Sequence, residues 1–178
     1  MRIISYSEAR SSLKSVLDAV QDDADVTVIS RRDGADAVVI SFDYYQSIME
    51  TMHLLASPAN AAHLTTSIAQ HKAAKRYGAH SQKPESMRRA IRCTPAAWAD
   101  YTYWQGQDKK TLMTLIRINT LIEAARRDPF SGIGKPEPLL GNLSGYWSRR
   151  IDEAHRLVYA VDDADFDVIA CRGHYDDR

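Results

Sequence analysis

Apolar residues at three- and four-residue intervals predict a helix near the start of the chain, from an N-cap at Ser7 to about Gln21. Its apolar face consists of Leu13, Val16, Leu17 and Val20. The segments "VTVIS" and "ADAVVIS" then predict two strands, separated by "RRDG". Because Asp-Gly is a strong hairpin signal, we expect these strands to pair.

Two further helices follow the hairpin. The first is predicted over "DYYQSIMETMHLL". The second begins at "SPAN", with Ser57 as N-cap and Pro58 in the first helical position, and runs to about Arg76. Residues 77–86, "YGAHSQKPES", are polar, contain Gly and Pro and lack periodicity, so they predict a linker.

The second half of the chain begins a new set of elements. "RRAIRC" predicts a short strand, Thr94 and Pro95 open a helix, and Asp108 caps a helix from Lys109 to about Arg127. A Gly/Pro-rich loop, "DPFSGIGKPEPLLGNLSG", precedes three strand patterns, "YWSRRID", "HRLVYAV" and "FDVIACRGHY". The order predicts two small α+β domains, the second with two helices packed on an antiparallel sheet.

Composition narrows the functional classes. Apolar residues make up 44% of the 178 residues and the formal net charge is zero, which excludes a disordered chain and a uniformly basic nucleic-acid binder. Cys93 and Cys171 lack metal-ligand spacing and are expected as reduced thiols. The tryptophans are expected in the core. No apolar run reaches about 18 residues, so we expect a cytoplasmic protein with no membrane partner.

The two halves resemble two protein families that normally occur as separate chains. "MRIISYSEAR", "ISRRDGADAVVIS" and "LLASPANAAHL" resemble the Phd/YefM antitoxins. "WADYTYWQGQDKK", "DPFSGIGKPEPL", "NLSGYWSRRIDEAHRLVYAV" and "ACRGHY" resemble the YoeB-like toxins among the RelE-like ribonucleases. The resemblance implies a DNA-binding and dimerisation domain at 1–56, a toxin-covering helical segment at 57–76, the linker at 77–86 and a ribonuclease domain at 87–178.

For the first half, the resemblance implies a homodimer that binds operator DNA and represses its own operon. It places DNA contacts at Arg10 and Arg31, one on the first predicted helix and one in the tight turn. In the covering segment the apolar positions, Leu64 and Ile68, are sparse. This sparseness favours a helix that becomes ordered on a partner, through intramolecular or intermolecular contact between antitoxin and toxin.

For the second half, the resemblance implies ribosome-dependent cleavage of mRNA in the A site, with no metal and no cofactor. Such cleavage needs a base for the 2′-OH, cations for the phosphate and an acid for the leaving oxygen. We expect Glu137 as the base, Arg156 and Arg150 at the phosphate and His174 as the acid. Tyr175 is expected to stack on or orient a nucleotide.

The sequence leaves two functions open. In the first, the ribonuclease is intact and neutralised by the tethered antitoxin, and it becomes active through linker proteolysis or translation from Met87. In the second, the chain is a non-enzymatic DNA-binding repressor whose toxin half has decayed. Departures from the family pattern, such as Arg92 in the first strand of this half, favour the second function, whereas the complete set of five site residues favours the first.

Overall fold

The computed structural model describes residues 1–22, 26–76, 89–106 and 109–174. The predicted linker, 77–86, and Tyr175 lie outside these residues, as does the predicted cap at Asp108. Helices and strands are mixed throughout, which confirms the α+β class. The chain forms two compact units, Met1–Met49 and Glu50–Arg178.

The first unit contains a small sheet and three helices, the last of which continues into the second unit. Its elements are β1 (Arg2–Ser5), α1 (Tyr6–Ser11), α2 (Leu13–Asp22), β2 (Thr27–Ser30), β3 (Ala37–Val39) and the first part of α3 (Phe42–Leu55). The strands lie in the order β1-β2-β3, with β1 parallel and β3 antiparallel to β2. The hairpin is therefore confirmed, whereas β1 was not predicted.

The expected N-cap at Ser7 is wrong. The hydroxyl of Ser5 accepts the backbone N–H of Glu8 at 3.2 Å, so α1 begins two residues earlier than predicted. The hydroxyls of Ser11 and Ser12 donate to the Glu8 carbonyl at 3.0 and 2.7 Å, and the backbone of Ser12 leaves the helical region with a φ of −128°. One predicted helix is therefore observed as α1 and α2.

The second unit continues from the end of α3. Its elements are α4 (Pro58–Arg76), β4 (Ala90–Cys93), α5 (Pro95–Tyr103), α6 (Lys109–Arg127), β5 (Glu137–Pro138), a 3₁₀ turn (Gly141–Leu143), β6 (Trp147–Arg150), β7 (Arg156–Val161) and β8 (Asp165–Ala170). The strand order is β4-β8-β7-β6-β5. The predicted meander β6-β7-β8 is confirmed, but β4 runs parallel to β8, so the sheet is not wholly antiparallel.

Alternation along β7 gives this sheet two buried faces. Leu157 and Tyr159 point to a core shared with α5 and α6, through residues such as Ile118 and Leu121. Val158 and Ala160 point to a second core that includes Leu54 from α3 and, from α4, Leu64 and Ile68. The sparse apolar positions of α4 therefore pack against the sheet.

Three further sequence expectations have mixed outcomes. Trp104 is buried and Trp147 half-buried, but Trp98 is 56% exposed, so the core prediction is wrong for that residue. Cys93 and Cys171 are both free thiols. Among the described residues, the helices are too short or too polar for a membrane span.

Candidate functional site

The predicted phosphate-binding arginines lie side by side on the sheet of the second unit. Arg150 of β6 and Arg156 of β7 are paired directly across the antiparallel ladder, which places both side chains on one face. Arg156 is buried, and its guanidinium also donates to the backbone carbonyls of Asp152 and Glu153 at 2.9 and 3.2 Å. Arg150 is 45% exposed. The pair offers two cations to one ligand.

The carboxylate of Glu50 lies against this pair. Its Oε1 is 2.5 Å from Nε of Arg156 and accepts the Ser148 hydroxyl at 2.7 Å, while its Oε2 is 3.9 Å from Nε of Arg150. The side chain of Glu50 is only 4% exposed. A negative group is therefore already held where two guanidinium groups and a hydroxyl converge.

Glu137 lies on the same part of the sheet as these groups. It belongs to the short edge strand β5 rather than to the predicted loop, and it pairs opposite Ser148. Since Ser148 and Arg150 are two residues apart on β6, all three side chains belong to one face. Glu137 is 9% exposed. The structure thus brings together the expected base and both expected phosphate-binding residues.

Gly134 fixes the chain just before Glu137. Its φ of +83° lies in the left-handed region, and a Cβ at this position would be 2.6 Å from Cδ2 of Leu121. The Gly134 carbonyl accepts the backbone N–H of Arg150 at 2.6 Å. The segment that carries the carboxylate is therefore attached to the strand that carries the arginine.

Arg149 holds the same segment from inside the protein. Its guanidinium is fully buried and donates to the carbonyls of Ile133, Asp128 and Ser131 at 2.9, 2.6 and 2.7 Å, with Tyr159 Oη at 3.3 Å. Arg149 alternates with Arg150 along β6, so neighbouring arginines serve opposite faces. The resemblance named Arg150 for the phosphate, but the buried role of Arg149 was not predicted from the sequence.

His174 lies in a second polar cluster. Its Nε2 is 2.9 Å from Oδ1 of Asp100, whose Oδ2 is 3.0 Å from Nε2 of His63. The two imidazole rings are 4.0 Å apart between centroids. Asp100 is buried and also accepts the backbone N–H of Cys171 at 3.1 Å. A carboxylate on α5 thereby joins the end of the described chain to α4.

The backbone of His174 is also held by residues from the start of α4. The Asn60 side-chain oxygen accepts the His174 N–H at 3.0 Å, and the Ser57 hydroxyl donates to the His174 carbonyl at 2.7 Å. Ser57 caps α4 as predicted, with the Asn60 N–H at 3.4 Å from its hydroxyl. Just before His174, strand β8 ends at Ala170, and the Arg172 guanidinium lies 3.5 Å from the centroid of the Tyr103 ring.

A third cluster joins the end of α4 to β8. His71 is buried with its Nε2 3.0 Å from Asp167 and its Nδ1 3.1 Å from Tyr146 Oη. Burial, together with the charge of Asp167, raises the pKa of Tyr146. Arg92 of β4 contacts Asp165 and Asp167 at 2.8 and 3.0 Å. Arg92, which departs from the family pattern, is thus matched by two acidic partners on the adjacent strand.

Lys75 of α4 reaches the turn between β7 and β8. Its Nζ lies 3.0 Å from the carboxylate of Asp162. Partial burial by itself raises the pKa of Asp162, but hydrogen bonds from the N–H groups of Asp165 and Ala164 and from Lys75 outweigh it and lower the pKa to about 2. The ionised form of this carboxyl is therefore favoured.

The predicted DNA-contacting residues belong to the first unit. Arg31 lies in the turn after β2, next to Arg32, in an open recess that is also lined by three serines and the acidic Asp33. The serines are Ser5, Ser7 and Ser30. Arg10 is exposed in the last turn of α1. Arg10 is not one of the described residues that line this recess. The structure thus places Arg31, but not Arg10, in a polar recess.

The comparisons with known proteins identify both halves. Residues 1–74 match the model of the "Antitoxin Phd_YefM, type II toxin-antitoxin system", and residues 93–175 match that of the "YoeB-like toxin of bacterial type II toxin-antitoxin system". A Toxin YoeB from Synechocystis is 59% identical over 48% of this chain and 95% of its own length. An Antitoxin YefM from Synechocystis is 40% identical over 39% of this chain and 80% of its own length.

The chain belongs to both families, an antitoxin followed by a toxin. Among solved structures, a YoeB–YefM complex from Staphylococcus aureus has 45% identity over 49% of this chain and 99% of the matched chain, with a TM-score of 0.45. The matched ranges place Glu50, Ser57, Asn60 and His63 in the antitoxin part, and their partners Arg156, His174 and Asp100 in the toxin part. The fused chain therefore makes an antitoxin–toxin contact within itself.

Sequence reasoning missed four residues of this contact: Glu50, Asn60, His63 and Asp100. All four are polar residues on predicted helices, a position where most such side chains face solvent. The only signal lay in α4, where Asn60, Leu64, Ser67, Ile68 and His71 recur at helical spacing and form its buried face. Because that face is mostly polar, apolar periodicity does not reveal it.

Proposed function

We propose that the toxin part is a metal-independent endoribonuclease, held inactive by the antitoxin segment of the same chain. The supporting observation is the contact between Glu50 and Arg156 at 2.5 Å. In RNA cleavage, a guanidinium pair stabilises the negative charge that develops on the phosphate. A carboxylate held by the same donors is a chemical stand-in for a phosphate oxygen, so RNA and Glu50 compete for one site.

The reaction assigned to this site is a transesterification. The carboxylate of Glu137 removes the proton of the 2′-OH, the 2′-oxygen attacks the phosphorus, and Arg156 and Arg150 hold the non-bridging oxygens. His174 gives a proton to the leaving 5′-oxygen, and Tyr175 orients a nucleotide. The products are a 2′,3′-cyclic phosphate and a 5′-hydroxyl. We assign mRNA in the ribosomal A site as the substrate, as the family resemblance implies.

In the neutralised chain, contacts with other residues occupy two parts of this catalytic set, the arginines and His174. Glu50 neutralises the arginines, and the His174 imidazole is 2.9 Å from Asp100 while its backbone is held by Asn60 and Ser57. Release requires the antitoxin segment, residues 50–76, to leave the sheet. Separation of the two parts at the linker, or translation from Met87, is the expected route.

Expression of residues 87–178 without the antitoxin part tests this function. We expect growth arrest and translation-dependent mRNA cleavage, mapped by primer extension and by the end groups of the fragments. The full chain and the Glu137→Gln fragment serve as inactive controls. If the intact fragment neither arrests growth nor cleaves mRNA, the ribonuclease proposal fails and the non-enzymatic repressor becomes the better account.

We propose operator DNA as the partner of the first unit. Arg31, Arg32 and the hydroxyls of Ser5, Ser7 and Ser30 are the donor types that contact phosphates. The affinity of the chain for a DNA duplex covering the promoter of its own gene should fall steeply as the salt concentration rises. The same affinity should fall in Arg31→Ala and in Arg10→Ala. Lys14→Ala, which removes an exposed cation from α2, is the matched control. Equal losses in all three variants would indicate non-specific attraction.

We also propose that the first unit forms a homodimer. Its exposed large apolar residues include Ile3, Val38 and Phe42, at 65%, 60% and 70% exposure. Exposed apolar surface of this extent on a small unit is typical of an association surface. Light scattering should give twice the chain mass, and Phe42→Asp should give the monomer mass.

A further inference from the structure

We propose that His63, Asp100 and His174 bind one Zn²⁺ ion, in a site shared by the antitoxin and the toxin parts. One ligand atom can be chosen from each side chain so that all three lie within 4.8 Å of one another. Two imidazole nitrogens and one carboxylate oxygen form a common three-residue ligand set for zinc in proteins, with water completing the tetrahedron. Nothing in the ribonuclease assignment requires this ion.

The distances between the donor atoms suit zinc. Nε2 of His63 and Nε2 of His174 lie 3.0 and 2.9 Å from the two oxygens of Asp100. In a tetrahedral zinc site with bonds of about 2.0–2.1 Å, neighbouring ligand atoms are about 3.3 Å apart. The two hydrogen-bonded contacts would lengthen by a few tenths of an ångström, while the widest separation among the three ligand atoms, which is within 4.8 Å, would have to shorten toward about 3.3 Å.

Burial and charge also suit a cation. The Asp100 side chain is 2% exposed, and those of His63 and His174 are 15% and 28% exposed. A buried carboxylate facing two imidazoles at an accessible edge provides a negative ligand, two neutral ligands and an entry path for the ion. Since zinc binds the deprotonated ring nitrogen, each imidazole must carry its proton on Nδ1 or release it on binding.

The antitoxin part and the toxin part both supply ligands to the proposed zinc site, so zinc binding depends on contact between the two parts. His63 lies on antitoxin helix α4, whereas Asp100 and His174 belong to the toxin part. Because the ligand set is complete only when α4 lies on the toxin part, zinc stabilises the neutralised state by linkage. It also keeps the imidazole of His174 away from proton transfer. This regulatory consequence rests on the proposed ribonuclease function, whereas zinc binding itself does not.

Zinc titration of the full chain, competed against a chromophoric chelator, tests the site directly. The chain should carry Cys93→Ser, because an exposed thiol would bind zinc independently. We expect one Zn²⁺ per chain and a higher melting temperature in its presence. His63→Gln, which retains a hydrogen-bond donor toward Asp100, should weaken binding by more than about tenfold.

A matched histidine variant separates this site from general affinity for zinc. His53 lies on α3, 3.2 Å from the carbonyl of Ala154, and His53→Gln should bind zinc as tightly as the parent chain. X-ray absorption of the zinc-loaded chain should show nitrogen and oxygen ligands with imidazole scattering. Sub-stoichiometric binding, or equal affinity in His63→Gln and the parent, would overturn the proposal. Because this readout needs no RNA, an inactive toxin fragment would leave the zinc result unaffected.

Discussion

Glu50 and Arg156 form a buried ion pair that joins the antitoxin part of the chain to the toxin part. The atoms are 2.5 Å apart and the side chains are 4% and 7% exposed. The two residues are 106 positions apart in sequence. A buried ion pair contributes little net stability when intact, but losing one partner is costly because the other charge stays desolvated. The ion pair therefore favours the docked position of the antitoxin segment over positions in which Arg156 stays buried without a carboxylate partner.

Glu50→Ala should both loosen the antitoxin segment and expose the toxin site. With Arg156 left without its carboxylate, we expect a loss of about 3–5 kcal/mol in the free energy of unfolding. Toxicity should appear in cells expressing the full chain. Urea unfolding and growth curves measure the two effects. Glu8→Gln, which changes a surface ion pair with Arg2, should change neither. A stable, non-toxic Glu50→Ala chain would contradict the role given to this residue.

Asn60→Asp should release the backbone of His174. The Asn60 amide donates to the Leu54 carbonyl at 2.7 Å and its oxygen accepts the His174 N–H. Aspartate cannot donate, so a buried carboxylate would face the Leu54 carbonyl at a cost of about 2–3 kcal/mol. Hydrogen exchange at the His174 amide should become faster. Asn119→Asp is the control, since the side-chain oxygen of exposed Asn119 accepts from the Tyr101 hydroxyl, a role that a carboxylate oxygen can keep. Unchanged exchange in Asn60→Asp would refute the prediction.

Arg149→Lys should destabilise the toxin part far more than Arg150→Lys. Lysine cannot reproduce the donations to Ile133, Asp128 and Ser131 from one buried guanidinium, so we expect a loss of about 3 kcal/mol. The exposed Arg150 should lose less than about 1 kcal/mol. Urea unfolding followed by tryptophan fluorescence measures both. Similar losses in the two variants would show that burial does not separate their roles.

Acid should weaken the contact between Lys75 and Asp162. Because the pKa of Asp162 is lowered from 3.8 to about 2 in the folded chain, the stabilisation is complete above about pH 4 and is lost as the pH falls through 2. Asp162→Asn should therefore be less stable than the parent near pH 6, with the difference vanishing near pH 2. A stability difference between Asp162→Asn and the parent that is the same at pH 6 and at pH 2 would contradict this prediction.

Local signals predicted most elements of the fold. Ser57 with Pro58, and Thr94 with Pro95, mark helix starts that the structure confirms, because capping depends on residues a few positions apart. The start at Ser7 was wrong because Ser5, a residue of the same capping type two positions earlier, accepts the N–H of Glu8 instead. Strand β1 was missed because its four residues run directly into α1, and its pairing with β2 brings together segments more than twenty residues apart.

Local patterns and motifs in family order were enough to predict the two families, their order along the chain and the α+β class. They also named the candidate site residues Glu137, Arg150, Arg156 and His174. Which polar side chains meet became visible in three dimensions, such as Glu50 with Arg156 and His63 with Asp100 and His174. The reason is physical: a polar residue on a helix has the same local pattern whether it faces water or a buried charge, and only packing between distant segments distinguishes the two.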